Sequence, residues 1–212
     1  MKIIKLTPET YFGAFIEAEK VLAEDGLLIA PTDTVYGILC RADRETVVKK
    51  IYSLKKRPET KPLPIFVRDV SMARKYAYIS DAKAKFLEQI WPGPVTVIFH
   101  HKNKLPPALT GGQDTIGLRI PEYKLLLELL EKMDVPLAQT SANTASLPPA
   151  KNMEEIKKYF SADQDKISLA LDAGELAGQP SKVLDFTGVR PLILRTGLMN
   201  KNDFDQLVGS MI

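Results

Sequence analysis

The chain has 212 residues, of which 45% are hydrophobic and 26% are charged, and its formal net charge is +3. These proportions are ordinary for a soluble globular protein with a sizeable core. The single cysteine, Cys40, excludes an intrachain disulfide, and the small net charge does not by itself indicate nucleic-acid binding, although an anionic ligand or an RNA contact fits it.

The cysteine count and the hydropathy of the chain indicate its location in the cell. A protein with one cysteine fits a reducing compartment, where we expect Cys40 to pack as a small buried residue. Residues 1–6 are too short and too polar for a signal peptide, and no apolar run approaches the length of a membrane span. We therefore expect a cytoplasmic protein with no membrane partner.

The first predicted elements are a strand over residues 3–6 and a helix that Thr7 and Pro8 open. A threonine hydroxyl can cap a helix N-terminus, and proline fits the first helical turn. Gly26 is expected to close this helix. Its buried stripe is predicted to consist of Phe12, Phe15, Ile16 and Leu22.

A short polar segment follows the next predicted strand, at residues 27–30. Pro31 ends that strand because proline cannot donate to a sheet ladder. The small polar side chains of Thr32, Asp33 and Thr34 come next, and Gly37 then lets the backbone turn close to a ligand. This segment is therefore a candidate for ligand contact.

Two basic residues mark the end of the following helix, which apolar residues three and four apart predict over 44–56. Pro58 stops the helix by pushing Arg57 out of the α region. At an unwinding helix end, Lys55 and Arg57 can converge on one anion, and an ammonium beside a guanidinium suits a polyphosphate. The alternative is a solvated basic helix end.

The rest of the chain continues to alternate strands and helices, which favours an α/β sheet. Trp91 is expected to pack in the core beside the turn at 91–94. His100 and His101 are adjacent on a predicted strand and face opposite sides, so we expect no metal site from them. Helices are predicted at 70–76, 81–89, 121–130, 152–160 and from residue 201, and strands at 63–67, 95–100, 115–120, 136–143, 167–171, 182–185 and 192–194.

The candidate site combines cations with hydroxyl groups near predicted strand ends, where open α/β sheets place ligands. This inventory suits phosphate and carboxylate groups, and it lacks a phosphate loop, a dinucleotide fingerprint and a nucleophile–histidine pair. An enzyme of this kind would act by binding, orienting and neutralising charge. The cations are Lys55, Arg57, Arg119 and Arg195, and the hydroxyls are those of Thr34, Thr115, Ser141 and Ser181.

Each polar residue also has a purely structural interpretation. Thr34, Thr115 and Ser181 could satisfy backbone groups at strand ends, and Asn143 could shape a turn. Arg119 differs, because a charged residue within an apolar strand is seldom buried without a partner.

Ordered sequence blocks carry a resemblance that covers nearly the whole chain. The blocks are PTDTVYG at 31–37, Lys-x-Arg-Pro at 55–58, Lys-Pro-Leu at 61–63, WPGPVT at 91–96, LTGGQDTIGLRIP at 109–121, TSAN at 140–143, PSKV at 180–183 and LRTG at 194–197. In these blocks the chain resembles the YrdC-like family of L-threonylcarbamoyladenylate synthases. The resemblance implies a twisted open mixed sheet with flanking helices, a ligand cleft at the strand ends, and a single domain over residues 1–212.

The resemblance also implies a reaction. Family members combine L-threonine, bicarbonate or CO2, and ATP into threonylcarbamoyl-AMP and pyrophosphate, with Mg²⁺ sharing the phosphate charge. The product feeds a downstream threonylcarbamoyl transferase that modifies tRNA, and a contact with tRNA or double-stranded RNA is an expected partner interaction. By block matching, Lys55 and Arg57 are the catalytic residues, while Thr34, Arg119 and Ser181 bind threonine. The matched ATP-binding residues are Lys55, Arg57, Lys61, Thr115, Ser141, Asn143 and Arg195.

Three departures from the family pattern bear on the pocket. Lys182 replaces a common threonine and is expected to add charge beside the amino-acid pocket. Phe66 replaces a histidine that faces the amino acid in some members, and Ser146 replaces a more flexible glycine. The pocket residues do not exclude serine as a substrate.

Two other functions stay open at this point. One is a non-catalytic paralogue that binds RNA or nucleotide in RNA or ribosome maturation. The other is a carbamoyl-transfer module like the related domain of hydrogenase-maturation proteins, which normally sits within a much longer chain. The intact pair of Lys55 and Arg57 favours the synthase.

Overall fold

A computed structural model describes residues 1–145, 147–176, 178–188 and 190–196. The strands are β1 (Lys2–Lys5), β2 (Leu28–Ala30), β3 (Gly37–Arg41), β4 (Ile65–Phe66), β5 (Val95–His100), β6 (Thr115–Arg119), β7 (Leu137–Ser141), β8 (Leu169–Asp172), β9 (Lys182–Asp185) and β10 (Leu192–Arg195). The α-helices are α1 (Tyr11–Ala23), α2 (Glu45–Lys55), α3 (Val70–Tyr76), α4 (Asp81–Ile90), α5 (Pro107–Thr110), α6 (Lys124–Met133) and α7 (Met153–Tyr159).

All of these strands form one mixed sheet in the order β1-β8-β2-β3-β7-β4-β6-β5-β9-β10. The pairs β1–β8, β2–β8, β4–β6 and β5–β9 are parallel, and the other neighbours are antiparallel. The predicted mixed α/β sheet with flanking helices is confirmed. That residues 1–212 form one domain stays a prediction.

One face of the sheet is packed along its length by helices α2, α3, α4 and α7, whose apolar residues join those of β2, β3, β4, β5, β6 and β9 in a single cluster. The other face, which we call the second face, is divided. Helices α1 and α6 cover it over β1, β8, β2 and β3 and over one residue each of β7 and β4, Leu137 and Phe66. Leu28, Leu39 and Leu169 are fully buried there. We call this region the covered half.

The remainder of the second face spans β6, β5 and β9, and we call it the open half. No residue of these three strands belongs to the cluster beneath α1 and α6, within the part of the chain that the structure describes. Residues that alternate along β5 point to opposite faces, so Val95 and Val97 enter the packed core while Thr96 faces the open half. None of the helices that the structure describes covers the open half, which is a sheet surface.

Several helices begin where the sequence supplies a capping side chain. Asp69 accepts from the Met72 amide at 2.6 Å, and Asn152 accepts from the Glu155 amide at 3.0 Å. The Glu155 carboxylate bonds the Lys151 amide rather than returning to Asn152, so only half of the predicted capping box forms. No helix among the described residues is long and apolar enough to cross a membrane.

The predicted buried stripe of α1 is wrong at two of its four residues. Leu22 is buried and Phe15 packs partly buried against the same cluster, but Phe12 is 74% exposed and Ile16 is 45% exposed. The helix also buries Ala14 and Ala18, whose small side chains let its axis lie close to the sheet. The helix also begins at Tyr11, after a turn in which the Thr7 hydroxyl bonds the Thr10 amide.

Other differences concern element boundaries. Strand β3 was not predicted, because its apolar residues follow the glycine that reads as a turn, yet it pairs with β2 and β7 at the centre of the sheet. Helix α6 begins at Lys124 rather than at Pro121. Trp91 is 5% exposed and Cys40 is fully buried, as predicted. The predicted terminal helix from residue 201 and the Ser146 departure lie outside the described residues.

Candidate functional site

A cleft of about 230 Å³ lies over the open half of the second face. The sequence predicted a cleft at the strand ends only. The observed cleft extends further, because side chains from the middle of the strands also line it. Its lining residues come from five strands and from the segment before β4. They are Pro62, Pro64, Thr96, Ile98, Gln113, Thr115, Gly117, Gln139, Ser181, Val183 and Arg195.

Gly117 lies in the middle of the strands that form the base of the cleft, and its lack of a side chain leaves that space open. A Cβ atom on Gly117 would lie 3.1 Å from both the Pro64 Cβ and the Thr96 Cγ2. Thr115 and Arg119 lie at opposite ends of the same strand, about 13 Å apart at the usual rise of a β-strand. The two predicted subsites, for nucleotide and for amino acid, therefore fall at opposite ends of β6.

Lys55 is buried at the end of α2, with 2% of its surface exposed. Its Nζ donates to the Ser141 carbonyl and, at 3.1 Å, to the Asn143 Oδ1. The Ser141 hydroxyl donates to the same Oδ1, so these three predicted site residues form one cluster. Burial, together with the charge of Arg57, lowers the pKa of the Lys55 ammonium from 10.5 to about 7.

Arg57 follows a left-handed residue, Lys56, which ends α2 with φ 49°. Its guanidinium donates to the Pro62 carbonyl at 3.1 Å and to the Lys61 carbonyl at 3.4 Å. These contacts hold Arg57 next to Pro62, which lines the cleft. Helix α2 ends before Arg57, as the sequence predicted. Lys61 itself is exposed, and it meets Arg57 through its backbone oxygen.

Arg119 anchors the other end of the cleft. Its side chain is 3% exposed and pairs with the carboxylate of Asp33, with Nη2 2.5 Å from Oδ1. Its Nε donates to the Gly93 carbonyl at 2.9 Å, and its Nη1 donates to the Thr34 hydroxyl at 3.2 Å. Burial lowers the pKa of Arg119, and the Asp33 carboxylate opposes that shift.

Ser181 and Arg195 meet between the two ends. The Arg195 Nε donates to the Ser181 carbonyl at 2.7 Å, and its Nη2 donates to the Ser181 hydroxyl at 3.1 Å. That hydroxyl also lies 3.0 Å from the Thr96 Oγ1. Burial and the positive charge of Arg119 both lower the pKa of Arg195.

The structure changes the interpretation of two departures. Lys182 is fully buried, but it alternates with Ser181 and Val183 and therefore faces away from the cleft, so the expected added charge beside the pocket is wrong. Phe66 is also fully buried, and its ring lies 5.7 Å from the Arg119 guanidinium carbon. Phe66 therefore supports the arginine by a cation–π contact.

Sequence reasoning missed several residues of the site. Asp33 was noted only as a small polar residue, and Thr96, Gln113 and Gln139 were not assigned to the cleft. The available signal was alternation, since Thr96 and Gln139 interrupt apolar strands on the face where Thr115 and Ser141 also point. That signal becomes specific only when the sheet order is known.

A larger groove of about 550 Å³ lies elsewhere, beside α1 and α6. It is lined by Leu6, Thr7, Pro8, Tyr11, Tyr123, Lys124 and Leu125. This groove lacks the predicted site residues. We therefore place the functional site at the smaller cleft. Of the predicted site residues, Thr115, Ser181 and Arg195 line it. The others do not belong to its lining, although Arg57 bonds the carbonyl of the lining residue Pro62.

Comparisons with known proteins identify the family of the chain. The Sua5/YciO/YrdC family model, described as telomere recombination, matches residues 20–197. The chain is 32% identical over 190 residues to a Threonylcarbamoyl-AMP synthase of Pyrococcus abyssi, covering 88% of this chain and 55% of the relative. It is also 32% identical to a Threonylcarbamoyl-AMP synthase of Escherichia coli O6:H1, covering 81% of this chain and 90% of the relative.

A solved structure gives the same result for the fold. P. abyssi Sua5 complexed with L-threonine superposes with a TM-score of 0.88 at 30% sequence identity, covering 98% of this chain and 60% of that chain. The chain thus spans little more than half the length of the P. abyssi relatives, and nearly all of the shorter bacterial one.

Proposed function

The chain belongs to the Sua5/YciO/YrdC family, and on that premise we propose that it is a threonylcarbamoyl-AMP synthase. Relatives from an archaeon and a bacterium carry this name, and a related structure is described as a complex with L-threonine. In enzyme-class terms the proposal is a nucleotidyltransferase that joins threonine, bicarbonate or CO2, and the adenylyl group of ATP.

One observation supports this function most directly, namely the surplus of positive charge around the cleft. Lys55, Arg57 and Arg195 form no salt bridge within the described ranges of the chain, and Arg119 pairs only with Asp33. Cations held this way without acidic partners are costly unless an anion joins them. A triphosphate together with an amino-acid carboxylate would supply that negative charge.

The proposed reaction has two steps. The amine of threonine attacks CO2 and loses a proton, which forms a carbamate. A carbamate oxygen then attacks the α-phosphorus of ATP, and the bond from that phosphorus to the departing pyrophosphate breaks. Lys55 and Arg57 would stabilise the charge that develops on the phosphate oxygens, which is an electrostatic contribution and needs no covalent intermediate.

The two ends of the cleft divide most of the substrate contacts. At the nucleotide end, we assign ATP to Lys55, Arg57, Lys61, Thr115, Ser141 and Asn143. At the other end, Thr34 and Arg119 would hold threonine. Between the two ends, Arg195 would contact ATP and Ser181 would contact threonine. A guanidinium has five N–H groups, and Arg119 uses three of them in the contacts described above, which leaves two for a carboxylate.

The remaining parts of the proposal concern cofactor, partners and location. The described residues include no group of three or more potential metal ligands, and Mg²⁺ commonly enters such sites on the phosphates of its nucleotide. We therefore propose that Mg²⁺ enters with ATP. The product would pass to a threonylcarbamoyl transferase acting on tRNA in the cytoplasm, and tRNA or double-stranded RNA is a proposed contact.

The test is threonine-dependent pyrophosphate release from Mg–ATP in the presence of bicarbonate, with the adenylate product identified by mass spectrometry. We expect the wild type to show it, and Lys55→Ala/Arg57→Ala to lose it by about 10³-fold or more. The matched control is Arg44→Ala/Lys49→Ala, which removes one arginine and one lysine from exposed positions near the start of α2. The control should keep the wild-type rate.

A protein that binds ATP but releases no threonine-dependent pyrophosphate at any bicarbonate concentration would contradict the proposal. Equal losses in the two double variants would also contradict the assignment of the phosphate clamp, because only one pair lies at the cleft.

A further inference from the structure

Only one of the two carboxylate oxygens of Asp33 has a hydrogen-bond partner among the described residues. Its side chain is 11% exposed, and its Oδ1 pairs with the Arg119 Nη2 at 2.5 Å. Its Oδ2 is buried and has no hydrogen-bond partner among the described residues. A carboxylate oxygen without a donor is costly to bury, so its persistence needs an explanation.

The pairing with Arg119 does not explain that oxygen. An arginine and an aspartate are held best when two N–H groups meet both carboxylate oxygens. This protein contains such a pair at its surface, where the Arg41 Nε and Nη2 donate to the two oxygens of Asp43 at 2.9 and 2.7 Å. Arg119 instead directs its Nε to the Gly93 carbonyl and gives Asp33 a single contact.

The Asp33 Oδ2 therefore needs a hydrogen-bond donor from outside the described residues. At the same end of the cleft, Arg119 keeps two N–H groups for an acceptor. A ligand that carries a carboxylate and an amine on the same carbon atom would satisfy both at once. An α-amino acid has this arrangement, since its carboxylate and its amine are separated by one carbon.

We infer that Asp33 accepts an N–H of the substrate α-amine, which makes it a specificity-determining residue that reads the amino acid together with Arg119. This inference rests on the proposed function and extends it. The terminal torsion of an aspartate is broad and twofold, so the carboxylate can turn its unbound oxygen toward the amine while the other stays on Arg119.

The contact fits the chemistry that the amine must undergo. A carboxylate accepts from the ammonium form on binding and from the neutral amine afterwards, because both carry N–H groups. Held by an N–H, the nitrogen can direct its lone pair away from Asp33 and toward CO2. Asp33 thus positions the nitrogen, and it exchanges no proton in this account.

The test compares the binding of two ligands by calorimetry, in the 212-residue chain without ATP. The ligands are L-threonine and 3-hydroxybutanoate, which is threonine without its amine. We expect the wild type to prefer threonine by at least about tenfold, since a hydrogen bond to a charged group contributes that much. In Asp33→Asn the affinity for threonine should fall by about tenfold or more while the affinity for 3-hydroxybutanoate changes by less than about twofold.

A ratio of affinities separates recognition from structural damage. A merely structural role for Asp33 would weaken both ligands alike and leave their ratio unchanged, and that result would overturn the inference. The control, Asp43→Asn, breaks the surface Arg–Asp pair and should alter neither ligand. If Asp33→Asn fails to fold, Asp33→Glu serves instead, because it keeps the ion pair with Arg119 but displaces the second oxygen, and it too should lower the ratio.

The pyrophosphate assay distinguishes a failure of the Asp33 inference from a failure of the proposed function. Threonine-dependent pyrophosphate release by the wild type with an unchanged ligand ratio in Asp33→Asn would overturn the role of Asp33 alone. Absence of that activity with a ratio that collapses in Asp33→Asn would overturn the synthase proposal and retain an amine-reading site. A wild type that binds no threonine would overturn both.

Discussion

The two halves of the second sheet face are built from neighbouring strands but are finished differently. In the covered half, Leu28, Leu39 and Leu169 meet the leucines of α6 and the small residues of α1. In the open half, the corresponding positions carry the polar or small residues Thr96, Thr115 and Gly117 together with Ile98 and Val183. The same alternation of a β-strand therefore produces a core beneath α1 and α6 and a candidate ligand surface in the open half.

In one sheet face, the covered half therefore contributes mainly to stability and the open half mainly to the proposed function. Apolar burial under α1 and α6 contributes to the free energy of folding. The open half contributes little apolar burial, and the cations around it are costly to hold without an anion. We therefore expect substitutions in the covered half to change stability, and substitutions in the open half to change ligand binding.

The largest effect on stability is expected from Leu129→Ala in the covered half. Leu129 is fully buried in α6, and truncating such a leucine lowers the free energy of unfolding by about 2–5 kcal/mol. Chemical denaturation measures this change. Ligand affinity, measured under conditions in which the variant is still folded, should stay within about twofold of the wild type. Leu129 does not line the cleft, and positions that share no contacts usually act independently. A large loss of affinity would mean that the halves are coupled.

The second prediction exchanges a glycine in each half. Gly117→Val places two methyl groups over the floor of the cleft, where even a Cβ meets Pro64 and Thr96 at 3.1 Å, so nucleotide affinity should fall by about tenfold or more. The matched change is Gly13→Ala in α1, where no atom lies within 4 Å of the new Cβ. It should stabilise the fold by about 0.5–1 kcal/mol and leave binding alone. Calorimetry and denaturation would show both effects, and unaltered nucleotide binding by Gly117→Val would argue against the cleft.

The third prediction uses the lowered pKa of Lys55, which is about 7 in the folded protein and 10.5 as the ordinary value. Between these pH values the unfolded chain binds more protons than the folded one, so the contribution of Lys55 to stability increases as pH rises from 7 to 10.5. A bound polyphosphate favours the ammonium, so binding near pH 8 should take up a proton and weaken as pH rises.

Calorimetry of nucleotide binding in two buffers with different ionisation enthalpies detects that proton uptake. Lys55→Met keeps an unbranched apolar side chain but has no ammonium, and it should abolish the Lys55 component of the uptake. An uptake that is the same in Lys55→Met and in the wild type would contradict the assignment of the proton to Lys55.

The smallest effect is expected from Phe12→Ser. A buried phenylalanine in the covered half would cost several kcal/mol to remove, but Phe12 is 74% exposed, so the free energy of unfolding should change by less than about 0.5 kcal/mol. A loss above about 2 kcal/mol in a denaturation experiment would show that the originally predicted stripe of α1 is buried in solution.

Much of the fold could be predicted because its signals are local. The leucine-rich α6, the helices α3 and α4, and the strands β5 and β7 have a clear apolar period and polar boundaries. Strand β3 was missed because its central position depends on pairing with β7, about a hundred residues later in the chain. The burial of α1 was misjudged because a helix that lies close to a sheet buries alanines in preference to larger residues.

The site shows the same division. The convergence of Lys55 with Ser141 and Asn143 was expected from sequence blocks, and the structure places the three in contact. Asp33 was not recognised as a site residue, because its importance comes from one unsatisfied oxygen beside Arg119. Such a feature arises only when two distant segments meet, and no periodicity in the sequence encodes it.

Amide NMR during titration with Mg–ATP and L-threonine would show whether ligands occupy the open half of the second face. We predict shift changes at Thr96, Thr115 and Gly117 in the open half, with the amides of Ala14 and Leu129 in the covered half unchanged. Changes centred instead on Tyr11 and the groove beside α1 and α6 would show that the ligands bind elsewhere.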